Sequence, residues 1–207
     1  MQMVQPLDDL FSRTSNTRVL RALFRLPEGM RVSTREIARR AGLAHPTVTG
    51  VMNGLSAVGV VEARRTPWAT EYQLNRSHVS IPAMEALFRW ETTVRDDLLA
   101  ALRQEIRSRA PWVQAAYLFG SASRGDMDAD SDIDVAVLCP VRRVPSTEAM
   151  VQELSDAIHD RFGNRVEVMI GSGSLKKLAD PSSPGYRAWR AVALEGTRLF
   201  DGDANDA

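Results

Sequence analysis

The chain has 207 residues, enough for one large domain or two small ones, with an ordinary soluble composition of 44% hydrophobic and 25% charged residues. No apolar run approaches the ~20 residues needed to span a bilayer, Asp8 and Asp9 argue against a secretory signal, and the single Cys139 cannot form an internal disulfide, so a cytoplasmic protein is expected. Net charge is zero but uneven: residues 1–80 carry eleven Arg against six Asp/Glu, a balance of +5, and residues 81–207 carry −5.

Leu10, Val19, Leu20, Leu23, Phe24 and Leu26 recur at near-helical spacing, and Pro27-Glu28-Gly29 ends that helix. Ser33-Thr34-Arg35-Glu36 has the form of a capping box and opens a short helix through Ile37, Ala38 and Arg40. Ala41-Gly42-Leu43 is a tight connection, and Pro46 suits the first turn of a third helix running to about Ala57. Val60 to Arg64 and Glu71 to Leu74 read as two short strands around a tip containing Arg65, Pro67 and Trp68. This order of elements resembles a winged helix-turn-helix domain, expected over residues 1–80.

Such a domain implies DNA binding with the third helix in the major groove. From His45 to Gly59, however, there is no Lys, Arg, Asp or Glu. Thr47, Thr49 and Asn53 could touch bases, while phosphate contacts would fall to Arg35, Arg39, Arg40, Arg64 and Arg65. A protein-docking or dimerisation module is the alternative for the same fold.

Ser77 to Pro82 reads as the seam, and a long helix follows over about 83–110 with Met84, Leu87, Phe88, Val94, Leu98, Leu102 and Ile106 on its apolar positions. That face either packs on the second domain, expected over 81–207, or forms the seam of a homodimer. Pro111 stops the helix, and Trp112 to Phe119 reads as a strand ending at Gly120-Ser121. After ten residues comes Asp132-Ile133-Asp134, at the head of a second apolar strand. Period-two alternation places both carboxylates on one face, about 7 Å apart. They are either two solvated aspartates or a site for an oxygen-seeking divalent cation, Mg²⁺ above all. The alternating acids Asp126, Asp128 and Asp130 do not make a calcium loop: counting from Asp126, Ser131 stands where the sharp-turn Gly is required and Val137 where the bidentate Glu is required. They read as loop and capping residues.

A helix is expected from about Thr147 to Phe162, then a strand Arg165 to Ile170 carrying one acid, Glu167. Gly171-Ser172-Gly173-Ser174 reads as a strand-to-helix cap, because the full dinucleotide-binding glycine pattern is absent. Tyr186 to Glu195 reads as a helix and Thr197 to Phe200 as a closing strand, with a polar tail after it.

Leu118-Phe119-Gly120-Ser121-Ala122-Ser123-Arg124-Gly125 followed by Ser131-Asp132-Ile133-Asp134-Val135 resembles the DNA polymerase beta-like nucleotidyltransferases, the small bacterial "minimal" ones in particular. The expected fold is therefore α+β: an N-terminal winged helix-turn-helix and a C-terminal mixed sheet with helices. The resemblance implies an NTP substrate whose triphosphate is held by Gly120 and Ser121, with Arg124 as a second contact. It also implies a third carboxylate at Glu167, and two Mg²⁺ ions held by Asp132, Asp134 and Glu167. Glu167 is the acid expected to help deprotonate the acceptor, although many relatives carry Asp there. The family modifies proteins, RNA ends, nucleotides or aminoglycosides. The minimal members suggest a protein target, a toxin partner as in antitoxin systems, with the winged helix fitting autoregulation. The alternative is a DNA-binding transcriptional regulator whose second domain senses nucleotide without turnover.

Overall fold

A computed structural model describes residues 13–125, 127 and 131–201. Leu10, the loop aspartates Asp126, Asp128 and Asp130, and the tail beyond Asp201 lie outside the described residues. The chain divides into two compact units, residues 1–93 and 94–207.

The first unit contains α1 (Thr14–Phe24), β1 (Val32–Ser33), α2 (Thr34–Ala41), α3 (His45–Ala57), β2 (Val61–Arg65) and β3 (Thr70–Leu74). The three strands pair antiparallel in the order β1-β3-β2. Helical periodicity accounts for its core, where Val19, Leu20, Leu23, Ile37, Val48, Met52 and Leu55 meet Val61 and Tyr72. The capping box forms only in part. Ser33 Oγ accepts from the Glu36 N–H at 3.4 Å, but the Glu36 carboxylate turns to Arg39 Nη2 and Arg40 Nε, each at 2.6 Å. These two guanidinium groups hold Glu36 down at about 2.

The long helix, α4 (Ile81–Arg109), is where the domain boundary departs from expectation. Ile81, Met84 and Phe88 are buried in the first core, whereas Leu98, Leu102 and Ile106 belong to the second. Phe88 stacks at 5.0 Å, centroid to centroid, on Phe24, and Glu91 accepts both Nε and Nη2 of Arg21 at 2.6 Å. The division therefore falls within the helix rather than at residue 80.

The second unit carries β4 (Ala115–Phe119), α5 (Gly120–Arg124), β5 (Ile133–Leu138), α6 (Val144–Phe162), β6 (Val166–Gly171), α7 (Leu175–Leu178), α8 (Tyr186–Glu195) and β7 (Thr197–Asp201). Its sheet runs β6-β5-β4-β7, with β5 and β6 parallel and the other pairs antiparallel, the mixed sheet expected. The parallel pair needs a crossover, and α6 supplies it. Alternation divides the strands between two cores. Leu118, Ile133, Val135 and Val137 pack with Leu102, Ile106, Leu154 and Ile158 on one face, while Ala115, Ala136 and Leu138 pack with Trp189 and Val192 on the other. Each large aliphatic side chain so buried is worth roughly 1.5–3 kcal/mol. Gly171 has a packing role besides ending β6: a Cβ there would lie 2.5 Å from Trp189 Cζ2 and 2.7 Å from Leu178 Cδ1. Ser174 caps α7, its Oγ accepting from Lys177 N–H at 3.4 Å. No helix among the described residues is long and apolar enough to cross a membrane.

Candidate active site

The burial of Ile133, Val135 and Val137 on one face of β5 forces Asp132 and Asp134 to the other. In the register of the sheet Asp134 lies between Phe119 on β4 and Glu167 on β6. Paired parallel strands lie about 4.8 Å apart, so Glu167 stands level with Asp134 on the same face, and Asp132 is two residues back along it. The three acids occupy neighbouring positions at one end of the sheet.

The chain turns at that end. Gly120 has φ +67°, a left-handed conformation that favours glycine, and a Cβ on it would lie 1.9 Å from Asp134 Oδ2. Glycine is thus required twice, for the turn and for the carboxylate seated against it. α5 begins at this residue, and the first N–H groups of a helix have no carbonyl partner within it. Ser121 lies in this first turn and is half-buried.

Three residues outside α5 that sequence reasoning did not single out, Arg95, Glu195 and Thr197, brace it. Ser123 Oγ donates to the Glu195 carbonyl at 2.8 Å and lies 3.0 Å from Thr197 Oγ1. Arg95 Nη2 donates to the Ser123 carbonyl at 3.2 Å and to Thr197 Oγ1 at 3.3 Å. Arg124 Nη1 reaches Glu195 Oε2 at 3.1 Å. The loop bearing Ser121 is therefore tied to the end of α8, the start of β7 and α4.

The electrostatics bear the imprint of this clustering. Asp134 is held above the ordinary carboxylate range, first by burial, then by the negative charges of Glu167 and Asp132, with Arg124 opposing. Asp132 and Glu167 are exposed. Among the described residues no three His, Cys, Asp or Glu side chains close into a metal cage. The donor set nevertheless suits a hard divalent cation: three carboxylates, no nitrogen or sulfur, and an electrostatic repulsion that such an ion would relieve.

The residues expected to meet DNA are spread over the first unit. Thr47 and Asn53 are exposed on α3, and Thr49 Oγ1 donates to the His45 carbonyl at 3.0 Å. Arg35 is exposed on α2, as are Arg64 and Arg65 at the end of β2, and no salt bridge forms on any of them among the described residues. Arg39 and Arg40 are already paired with Glu36.

Residues 103–179, which include Gly120, Ser121, Arg124, Asp132, Asp134 and Glu167, match the polymerase beta nucleotidyltransferase family model. Residues 17–65 match the IclR helix-turn-helix domain model. No curated protein matches the chain. Among solved structures, a toxin–antitoxin with AMP-PNP is 24% identical, covering 50% of this chain and 73% of that one at a TM-score of 0.36. A mutant of the toxin–antitoxin MntA–HpeT is 23% identical over the same shares, at 0.34. PigF with SAH is 15% identical, covering 87% of this chain and 65% of that one, at 0.26. The chain thus carries an IclR-type helix-turn-helix domain followed by a polymerase beta-type nucleotidyltransferase domain.

Proposed function

We propose that this chain is a Mg²⁺-dependent nucleotidyltransferase that moves an NMP group from an NTP to an acceptor hydroxyl. The observation that carries the reading is the meeting of the Gly-Ser turn with the acids: Gly120 is seated against the Asp134 carboxylate, and Glu167 lies level with it on the adjoining strand. N–H groups able to bind phosphate and an acid cluster at one strand end are what attack on an α-phosphorus requires.

In this reading the first N–H groups of α5 and the Ser121 hydroxyl bind the triphosphate. Arg124, which now reaches Glu195, adds a cation beside it. The acceptor oxygen attacks the α-phosphorus, a new O–P bond forms, and the bond to the bridging oxygen breaks, so that pyrophosphate leaves with that electron pair. The acceptor proton passes to a carboxylate, and Glu167, exposed on the strand beside Asp134, is the one an acceptor can reach. Asp132, Asp134 and Glu167 would hold two Mg²⁺ ions, which when bound lower the pKa of the acceptor hydroxyl and neutralise charge on the leaving pyrophosphate. The brace from Arg95, Glu195 and Thr197 keeps the phosphate-binding turn in place before substrate arrives. We take the acceptor to be a protein hydroxyl, on the resemblance of the motif to the minimal nucleotidyltransferases. The first domain would bind DNA through Arg35, Thr47, Thr49, Asn53, Arg64 and Arg65.

The open arrangement of the acids supports a second reading, in which nucleotide binding without turnover alters DNA affinity, and DNA alters nucleotide affinity by the same factor. NTP labelled at the α-phosphorus and, separately, at the γ-phosphorus distinguishes the two. Nucleotidyl transfer leaves only the α-label on a macromolecule. Retention of the γ-label would mean phosphoryl transfer, and neither label, with nucleotide bound, would favour the sensor.

A further inference from the structure

Four guanidinium groups converge on one groove of the first unit, along α1 and at the end of α2. Arg18, Arg21, Arg25 and Arg40 line a cavity of about 320 Å³ floored by the buried Ala22 and Ala41, and no carboxylate lines it. Like charges brought together repel, and two acids nearby relieve this only in part. Glu91 takes Arg21 in a two-pronged pair, and Glu36 is shared between Arg40 and Arg39. Arg18 spends only one of its five donors, Nη2 on the Gly42 carbonyl at 2.9 Å. The Arg25 side chain is exposed and makes no hydrogen bond or ion pair among the described residues, and Glu91 acts on it only as a more distant charge. Basic residues in a last turn complement the helix dipole, which accounts for Arg21 and Arg40 but not for Arg18, near the middle of α1.

The groove selects among anions by its shape and by its place. Guanidinium forks match phosphate oxygens, and the volume lies in the range of small-ligand sites. Arg18 and Arg25 are seven residues apart, about 10 Å along the axis of α1, so one phosphate cannot meet both while a chain of phosphates can. The alanine floor offers only methyl groups, which leaves nothing to hold the apolar side chains of an acidic peptide. Arg40 stands five residues from Arg35, about 7.5 Å along α2 and about 140° around it. The groove therefore opens on a different side of α2 from the Arg35 face expected to meet DNA.

We propose that the groove formed by Arg18, Arg21, Arg25 and Arg40 is a binding site for a linear oligophosphate, inorganic or the tail of a nucleotide. Arg18 and Arg25 supply the unspent donors, and Arg21 and Arg40 the flanking charge. The guanidinium groups carry the positive charge themselves, so the site binds without Mg²⁺. It is separate from the acid cluster of the second domain and does not depend on the transfer reaction.

The test is calorimetric titration of the full chain with inorganic tripolyphosphate, in EDTA and at fixed ionic strength, with ATP and AMP as parallel arms. The variants are Arg18→Gln, Arg25→Gln and, as a control with the same change of charge, Arg89→Gln on the exposed side of α4, where Arg89 is 73% exposed. Circular dichroism checks the fold, and the exposed Arg25 keeps the test valid should loss of the Arg18 bond to Gly42 disturb it. Tripolyphosphate should bind the wild type, and Arg18→Gln and Arg25→Gln should each weaken it about tenfold to a hundredfold, the range for charge-assisted hydrogen bonds. Arg89→Gln should bind as the wild type does, and AMP, with one phosphate, should bind far more weakly than tripolyphosphate. Tighter binding of ATP than of tripolyphosphate, with the same arginine dependence, would assign the site to a nucleotide tail, and equal binding would assign it to the inorganic anion. No binding in EDTA, equal losses in all three variants, or unchanged binding by Arg18→Gln and Arg25→Gln would overturn the proposal. Displacement of tripolyphosphate by duplex DNA, with duplex affinity lost in step in the same two variants, would overturn it in favour of a contact to the DNA backbone.

Discussion

Replacing Gly120 by alanine separates the two demands that the turn makes on that residue. The added Cβ would lie 1.9 Å from Asp134 Oδ2, 2.9 Å from Cγ and 3.2 Å from Cβ, where real Cβ contacts essentially never fall below 3.0 Å. The carboxylate oxygen must move by the difference, about 1.1 Å, and a displacement of about 1 Å at a reacting centre costs on the order of 100-fold in rate. The left-handed backbone adds roughly 1–2 kcal/mol of destabilisation, a fall of a few degrees in Tm. Gly125 provides the control, because its φ is +80° but a Cβ there meets nothing within 4 Å. Gly120→Ala and Gly125→Ala should thus lose similar stability by thermal unfolding. In steady-state label transfer from α-labelled NTP, Gly120→Ala should fall about 100-fold while Gly125→Ala keeps most of its activity. Equal losses in the two variants, or full activity in Gly120→Ala, would refute the claim that the turn is built against a carboxylate the reaction needs.

The pH dependence of stability follows from Asp134. Its pKa in the fold lies above the ordinary 3.8, so the fold holds that proton more tightly than the unfolded chain does, and ionisation opposes folding as pH rises above 3.8. Asp134→Asn should therefore raise the Tm of the metal-free protein at neutral pH, with the gain vanishing below about pH 4, and Mg²⁺ should stabilise the wild type alone. Arg124 and Glu195 are each about half exposed, at 49% and 47%, so their pair is worth only about 0.2–1 kcal/mol. Arg124→Ala should hardly change Tm in a melting scan but raise KM for NTP about tenfold, as loss of a charge-assisted phosphate contact would. Gly171→Ala forces a methyl to within 2.5 Å of Trp189, and overpacking of that kind should destabilise the second unit by roughly 1–3 kcal/mol in denaturant unfolding, at a position remote from the reacting groups.

How far the sequence spoke depended on whether a feature was local or long-range. The helices of the first unit and the strands carrying Gly120, Asp134 and Glu167 were legible because apolar periodicity of 3.6 or 2 is written within each segment. The boundary within α4 was not. The spacing from Met84 through Ile106 continues unbroken, and periodicity reveals that a face is buried without saying against what. The motif pointed to Gly120, Ser121 and the acids, but the level placement of Glu167 beside Asp134 depends on strand register, which adds a crossover to the local pattern. Glu195, Thr197 and Arg95 left no signal, since their bonds to Ser123 and Arg124 join residues 28 to 74 positions apart. Glu36 shows the converse. Its capping-box spacing was legible, yet Arg39 and Arg40, three and four residues on, captured its carboxylate.

The central claim is tested most directly by exchanging the two aspartates that head β5. Wild type, Asp132→Asn and Asp134→Asn would each be incubated with Mg²⁺, lysate of the source cell and α-³²P-labelled NTPs, one base at a time. The account predicts a labelled macromolecule, protease-sensitive if the acceptor is a protein, with the wild type alone, while both variants keep the wild-type circular dichroism spectrum. Equal labelling by wild type and both variants, or no label with any NTP, would contradict it.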